Sequence, residues 1–145
     1  MFVVDTNILV YAADRHADEH ARCLKLIEGL RRGVEPWYLT WPTVYEFLRV
    51  VTHRKVLRHP WSLAEALQFI NALMEADNLS LLPETPRHMA VLADLAAQSH
   101  VSGGNTVFDL HIAALMKEHG LSRIYTRDTD FHRFTFIEVV DPLQK

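Results

Sequence analysis

Strands alternating with helices predict an α/β domain built around a central, mainly parallel sheet of five strands. Three observations carry that prediction. Phe2–Val4 is a short continuous apolar run, the signature of a strand buried on both faces. Helical apolar spacing recurs between successive runs of this kind. Acids then stand just beyond the runs or early in the following helix, where a parallel sheet opens into its ligand crevice. The 145 residues suit a single domain, 1–145, with a sizeable core.

The elements follow in order. After Phe2–Val4, residues Ile8, Leu9 and Ala12 read as a helix, with Asp5 between strand and helix. Ala17, Ala21, Leu24, Ile27 and Leu30 keep helical spacing until Arg31, Arg32 and Gly33 mark the end. Trp37–Trp41 is the second expected strand, and Pro42-Thr43 opens a helix carrying Val44, Phe47, Leu48 and Val51. Leu63, Ala66, Leu67, Ile70, Leu73 and Met74 form the clearest amphipathic stripe. Leu79–Leu82 is the third strand. Thr85-Pro86 predicts a capped helix start, with the helix running to about His100. Ser102-Gly103-Gly104-Asn105 is a loop, Val107–His119 a helix stopped by Gly120, and Arg123–Thr126 and Phe136–Val140 the last strands.

Composition narrows the function classes. With 49% hydrophobic and 23% charged residues the chain is globular. Lys and Arg total 15 against 18 acids, a net charge of −3, so only a local cluster could argue for nucleic-acid binding. Cys23 is the one cysteine, which excludes an internal disulfide. No run reaches the length of a membrane span, and no basic-then-apolar leader precedes Asp5, so a cytoplasmic protein is expected. The five glycines form neither a dinucleotide fingerprint nor a phosphate-binding loop, and no nucleophile elbow is present.

The acids carry the functional signal. Asp5 follows the first strand and Glu46 the second; Asp109 follows the glycine loop, and Asp128 and Asp130 the fourth strand. Each has a structural reading. Asp5 is a natural N-cap, Thr43-x-x-Glu46 and Thr106-x-x-Asp109 match the capping box, and Asp128 and Asp130 suit a turn. Ser62-x-x-Glu65 matches the box as well, with no strand delivering it to the crevice, so the pattern alone cannot mark catalysis. Convergence is what discriminates. Carboxylates about 5 Å apart repel by roughly 3 kcal/mol per pair at an effective dielectric of about 20. Such a group persists when protons or a cation balance it. An all-carboxylate set suits Mg²⁺ or Mn²⁺ rather than zinc. His16 and His20, spaced i, i+4 on another expected helix, are too few for a closed zinc site.

DTNILVYA, the glutamate of WPTVYEFLRV, VFDLHIAALM and YTRDTDFHRF together resemble the PIN-domain nucleases, most closely the VapC-type toxins of bacterial toxin–antitoxin modules. The resemblance spans essentially the whole chain and implies a three-layer α/β/α fold. It puts the acidic quartet on Asp5, Glu46, Asp109 and Asp128, with Asp130 auxiliary and Asn7 and Thr126 orienting the cluster. It further implies Mg²⁺- or Mn²⁺-dependent endoribonuclease action on RNA, inhibition by a cognate antitoxin, and a homodimer. Asp5 and Asp109 are the expected principal metal ligands, with Glu46 and Asp128 holding metal-bound water or a second ion. Acids at both 128 and 130 leave open which lies nearer the metal.

For RNA contact the candidate stretch is RVVTHRKVLRHPW, where Arg49, Arg54, Lys55 and Arg58 are joined by His53 and His59 and no acid intervenes between Glu46 and Glu65. Its bland alternative is a solvated helix end, since cations favour helix C-termini. Trp61 and Tyr45 could stack on bases, but are expected in the core. Two competing functions are a catalytically silent binding module acting through a protein partner, and a phosphatase or phosphotransfer domain. The latter wants a second acid two residues after the first, where Asn7 stands.

Overall fold

A computed structural model describes residues 1–144. The apolar runs become β1 (Phe2–Val4), β2 (Trp37–Leu39), β3 (Leu79–Leu81), β4 (Arg123–Tyr125) and β5 (Glu138–Val140). They form one sheet in the order β3-β2-β1-β4-β5, with all four pairings parallel. The helices are α1 (Thr6–Ala13), α2 (His20–Arg32), α3 (Trp41–Val51), α4 (Leu63–Met74), α5 (His88–Gln98) and α6 (Thr106–Glu118), and a 3-10 turn spans Thr129–Arg133.

The central strand is buried on both faces because consecutive side chains leave a strand on opposite sides. Phe2 and Val4 pack with Ile8 and Leu9 of α1, Cys23 and Ile27 of α2, Phe47 of α3 and Ile70 of α4. Val3 faces the other way, into Leu95 of α5, Leu110, Ile112, Leu115 and Met116 of α6, and Ile124, Phe131 and Phe134. Two apolar cores therefore sandwich the sheet, giving the three-layer α/β/α arrangement. No helix among the described residues is long and apolar enough to cross a membrane.

Element boundaries shift where side chains compete for the backbone. The second strand stops at Leu39, because Thr40, fully buried with extended backbone, caps α3 and accepts from Thr43 N–H at 3.2 Å. Pro42 then falls in the first turn of α3, where its missing N–H is harmless. Residues 14–19 lie outside α2; His16 N–H donates instead to Asp14 Oδ1 at 3.0 Å, a local turn that displaces the expected first helical turn. Thr85 accepts from Arg87 N–H at 3.2 Å, so Pro86 sits in that turn and α5 starts only at His88. That helix ends at Gln98, and His100 turns to φ 53°. The loop into α6 has Gly103 and Gly104 at φ 123° and 66°, conformations that glycine adopts without penalty. The last strand begins at Glu138, two residues later than its apolar run.

Candidate active site

The strand order makes β1 a switch point: β2 lies on one side of it and β4 on the other, and the connections leave in opposite directions. The crevice this opens at the carboxyl ends of β1 and β4 holds a cleft of about 240 Å³, lined by Asp5, Glu46, Asp109 and Asp128 among its residues. Four acids scattered over more than 120 residues of sequence thus meet at one place.

Asp5 is both the N-cap of α1 and part of the cleft wall, so its two readings do not exclude each other. Its Oδ1 accepts from Thr6 N–H at 2.8 Å; its Oδ2 accepts from the Thr126 hydroxyl at 2.7 Å and from Asn7 Nδ2 at 3.3 Å. Thr126, fully buried, is the hub. Its Oγ1 also accepts from Asn7 Nδ2 and from Asp128 N–H, each at 2.9 Å. Asn7 Oδ1 in turn accepts from Arg127 N–H at 3.3 Å. The expected orienting pair, Asn7 and Thr126, therefore ties the end of β1 to the start of the β4 loop.

Glu46 is not a capping acid. Thr40 caps α3, and the half-exposed Glu46 carboxylate accepts from the Thr6 hydroxyl at 3.2 Å. Asp109 arrives in the first turn of α6, which follows α5 rather than a strand. Thr106 does not cap it either: its hydroxyl donates to Gly103 O at 2.6 Å. Of the paired acids, Asp128 lines the cleft and caps the 3-10 turn through Asp130 N–H at 2.8 Å, whereas Asp130 is exposed outside the lining. One carboxylate oxygen each from Asp109, Asp128 and Asp130 lie within 4.8 Å of one another.

The electrostatics follow from that crowding. Burial pushes Asp5 up to about 6, with the Glu46 and Asp128 charges adding to it while the Thr126 and Thr6 hydrogen bonds oppose. Burial, then the charges of Asp128, Asp5 and Asp130, pushes Asp109 up to about 7; Arg133 nearby opposes this. Among the described residues no Lys or Arg forms an ion pair with Asp5, Asp109 or Asp128, and Glu46 meets only Arg49, at 3.9 Å.

A family model described as the PIN domain matches residues 2–137. The chain belongs to the PIN-domain family. It is 32% identical over 138 residues to ribonuclease VapC48 of Mycobacterium tuberculosis, covering 95% of this chain and 94% of that one. With ribonuclease VapC43 of the same organism it shares 34% over 143 residues, 99% and 96% of the two chains. Among solved structures, the Sarcin-Ricin loop cleaving toxin VapC20 of M. tuberculosis superposes with a TM-score of 0.68 at 16% identity, over 96% and 98% of the chains. VapBC2 of Rickettsia felis, bound to a DNA fragment from their promoter, gives 0.63 at 18%, over 96% of each. These two show the fold.

A divalent cation fits the cleft of this PIN domain. Its charged lining is four carboxylates, no His or Cys lines it, and their mutual repulsion is only partly offset, by Arg133 near Asp109 and Arg49 beside Glu46. The lining also includes Thr6, Val10, Tyr11 and Val50, which sequence reasoning missed. Thr6, Asn7, Val10 and Tyr11 share one face of α1 at i, i+3 and i+4 spacing, and Val50 stands one turn beyond Glu46, so helical spacing from the acids was the available signal. Arg49 lies at the cleft edge beside Glu46; Arg54, Lys55 and Arg58 are exposed in the turns after α3 and do not line it. Trp61 packs on Phe47 and Phe69 as core, but Tyr45, expected there too, is 69% exposed against Trp41. His16 packs its ring against His59 at a tilt of 47° instead of forming a helical pair with His20.

Proposed function

We propose that the chain is a cytoplasmic metal-dependent endoribonuclease, the toxin of a type II toxin–antitoxin module, using Mg²⁺ or Mn²⁺. One observation carries the reading: four carboxylates from distant segments share one cleft, and among the described residues no Lys or Arg forms an ion pair with Asp5, Asp109 or Asp128. RNA as substrate rests on the relatives, which are named ribonucleases. Asp5 and Asp109 are the principal ligands. The Thr126, Asn7 and Thr6 donors fix the Asp5 carboxylate and leave Oδ1 a free lone pair. Asp128 completes the inner wall, with Asp130 auxiliary outside it. Glu46 has Oε2 taken by Thr6 and Oε1 3.9 Å from Arg49, beyond hydrogen-bond distance, so that Oε1 can accept from a water at the cleft mouth and orient it toward a phosphorus atom. When bound, the cation lowers the pKa of a water and neutralises charge growing on the phosphoryl oxygens. This chemistry needs no 2′-hydroxyl, so preference for RNA resides in the binding surface.

Arg49, Arg54, Lys55 and Arg58 supply phosphate contacts leading away from the cleft. Arg54→Ala with Lys55→Ala is expected to weaken RNA binding and flatten its salt dependence, because fewer counterions are released; unchanged affinity across a salt series would remove this stretch from the surface. A cognate antitoxin and a second copy of the chain are the protein partners. An apolar groove along α3 and α4, with Trp41, Tyr45, Leu63 and Leu67 exposed, supports a protein partner. The deciding experiment is cleavage of RNA by purified protein with Mg²⁺, with Mn²⁺ and with EDTA. Cleavage that needs the cation and disappears in Asp5→Asn supports the reading. Cation-independent cleavage, or full activity in the variant, sinks it.

A further inference from the structure

Glu84, His88 and His111 meet on another face of the molecule. One potential ligand atom from each lies within 4.8 Å of the other two. They come from three segments: the loop after β3, the first residue of α5, and α6. His111 and Asp109 are two positions apart on α6, which is about 200° around the helix, so they leave it on opposite sides. None of the three lines the acidic cleft.

The hydrogen bonding around them has the form of a prepared ligand set. His88 Nδ1 lies 2.6 Å from Glu118 Oε2, and the Glu118 side chain is fully buried. That carboxylate also accepts from Thr85 N–H at 2.9 Å and from the Thr85 hydroxyl at 2.8 Å, so it is held in place and ionised. A carboxylate acceptor at Nδ1 fixes the proton there and leaves the Nε2 lone pair of His88 for a metal. His111 Nε2 faces Glu84 Oε1 at 3.0 Å, and the two imidazoles stand edge to face with centroids 5.5 Å apart. The Glu118 network alone accounts for His88 as a tie between the β3–α5 loop and α6. It does not account for a second imidazole and a second carboxylate brought to the same point.

We propose that Glu84, His88 and His111 bind a zinc-class transition cation, with Glu118 positioning His88 from behind. Two imidazoles and one carboxylate are a donor set suited to zinc, with a fourth position left for water or another ligand, and imidazole disfavours Mg²⁺. The bound ion cross-links α5 and the β3–α5 loop to α6, the helix that carries Asp109 on its far side. The proposal does not depend on the nuclease reading, since it concerns a different set of residues and a different class of cation.

The test is calorimetric titration of Zn²⁺ into the full chain in excess Mg²⁺, which keeps the acidic cleft occupied. Co²⁺ absorption in the visible region reports the coordination geometry alongside. One equivalent of Zn²⁺ is expected to bind. His111→Gln and Glu84→Gln, both at partly exposed positions that the fold tolerates, should each abolish saturable binding at this site. Glu118→Gln should weaken it about 10- to 100-fold, as loss of an orienting carboxylate does. Asp109→Asn should retain it. No saturable Zn²⁺ binding in the unaltered chain overturns the proposal, as does binding unchanged by His111→Gln or lost only in Asp109→Asn.

Discussion

The starts of α3 and α4 share a sequence pattern, a hydroxyl residue followed three positions later by glutamate, and use it in opposite ways. At α4 the reciprocal box forms: Ser62 Oγ accepts from Glu65 N–H at 3.1 Å, and Glu65 Oε1 accepts from Ser62 N–H at 3.2 Å. At α3 Thr40 takes over the capping, so Thr43 lies inside the helix and Glu46 is released toward the cleft. At α6 no side chain caps the helix: Thr106 bonds back to Gly103 and leaves Asp109 to the crevice. A capping acid is neutralised locally by backbone N–H groups. An acid whose helix begins without it carries its charge somewhere else, and here that place is a cleft shared with three other carboxylates.

Substitutions at the two kinds of acid separate their roles. The largest expected effect is on rate: Asp109→Asn should lower RNA cleavage at least about a hundredfold, a loss of about 2.7 kcal/mol or more of transition-state stabilisation, with the fold intact. Glu46→Gln should act in the same direction. Full activity in Asp109→Asn, measured at fixed Mg²⁺, would return this acid to a structural role. Next in size is Thr40→Ala, which removes the cap that frees Glu46 and should lower stability by about 1–2 kcal/mol in chemical denaturation. A smaller loss there than in Thr43→Ala would show that the helix start is misassigned. Smallest is Glu65→Gln, expected to change stability by less than about 1 kcal/mol and to leave cleavage unaltered. A cleavage defect in that variant would show that Glu65 is more than a capping acid.

Much of the fold was legible because its signals are local. Five apolar runs and the helical stripes between them locate every strand and all six helices to within a few residues, and the parallel pairing, though not the strand order, follows from their alternation. The acids of the cleft were also legible, since each stands near an element end. Helix starts were less so. Whether Thr40 or Thr43 caps α3 depends on where Pro42 falls in the turn, and Thr85 satisfies a turn before α5 instead of its first residue. The hub was named only through the family resemblance: Asn7 and Thr126 are 119 residues apart and no pattern in either segment points to the other. Glu118 was invisible for a related reason. An acid in the last turn of an apolar helix reads as solvated, yet this one is buried beneath Thr85 and His88.

Proton linkage at the cleft supplies a further check on the metal-free protein. Asp109 has an unfolded value near 3.8 and is pushed up to about 7 in the fold. Between those values the folded state keeps a proton that the unfolded state has lost. Stability should therefore fall as pH rises from about 4 to about 7 and level off above, and Asp5, pushed up to about 6, adds to the same slope. Asp109→Asn should flatten the curve across this range in denaturation series run in EDTA. A slope unchanged by the substitution would mean that other groups set it.

Whether the clustered carboxylates require a cation is read from the melting temperature at pH 8 with EDTA and with excess Mg²⁺, for the unaltered chain and for Asp109→Asn. At that pH the cleft carries its full charge, and a cation bound only by the folded state raises its stability. The unaltered chain should melt higher in Mg²⁺ than in EDTA. Asp109→Asn should show a much smaller rise, from a metal-free melting point above that of the unaltered chain. Equal melting points in EDTA and Mg²⁺ for the unaltered chain would mean that the folded cleft binds no Mg²⁺.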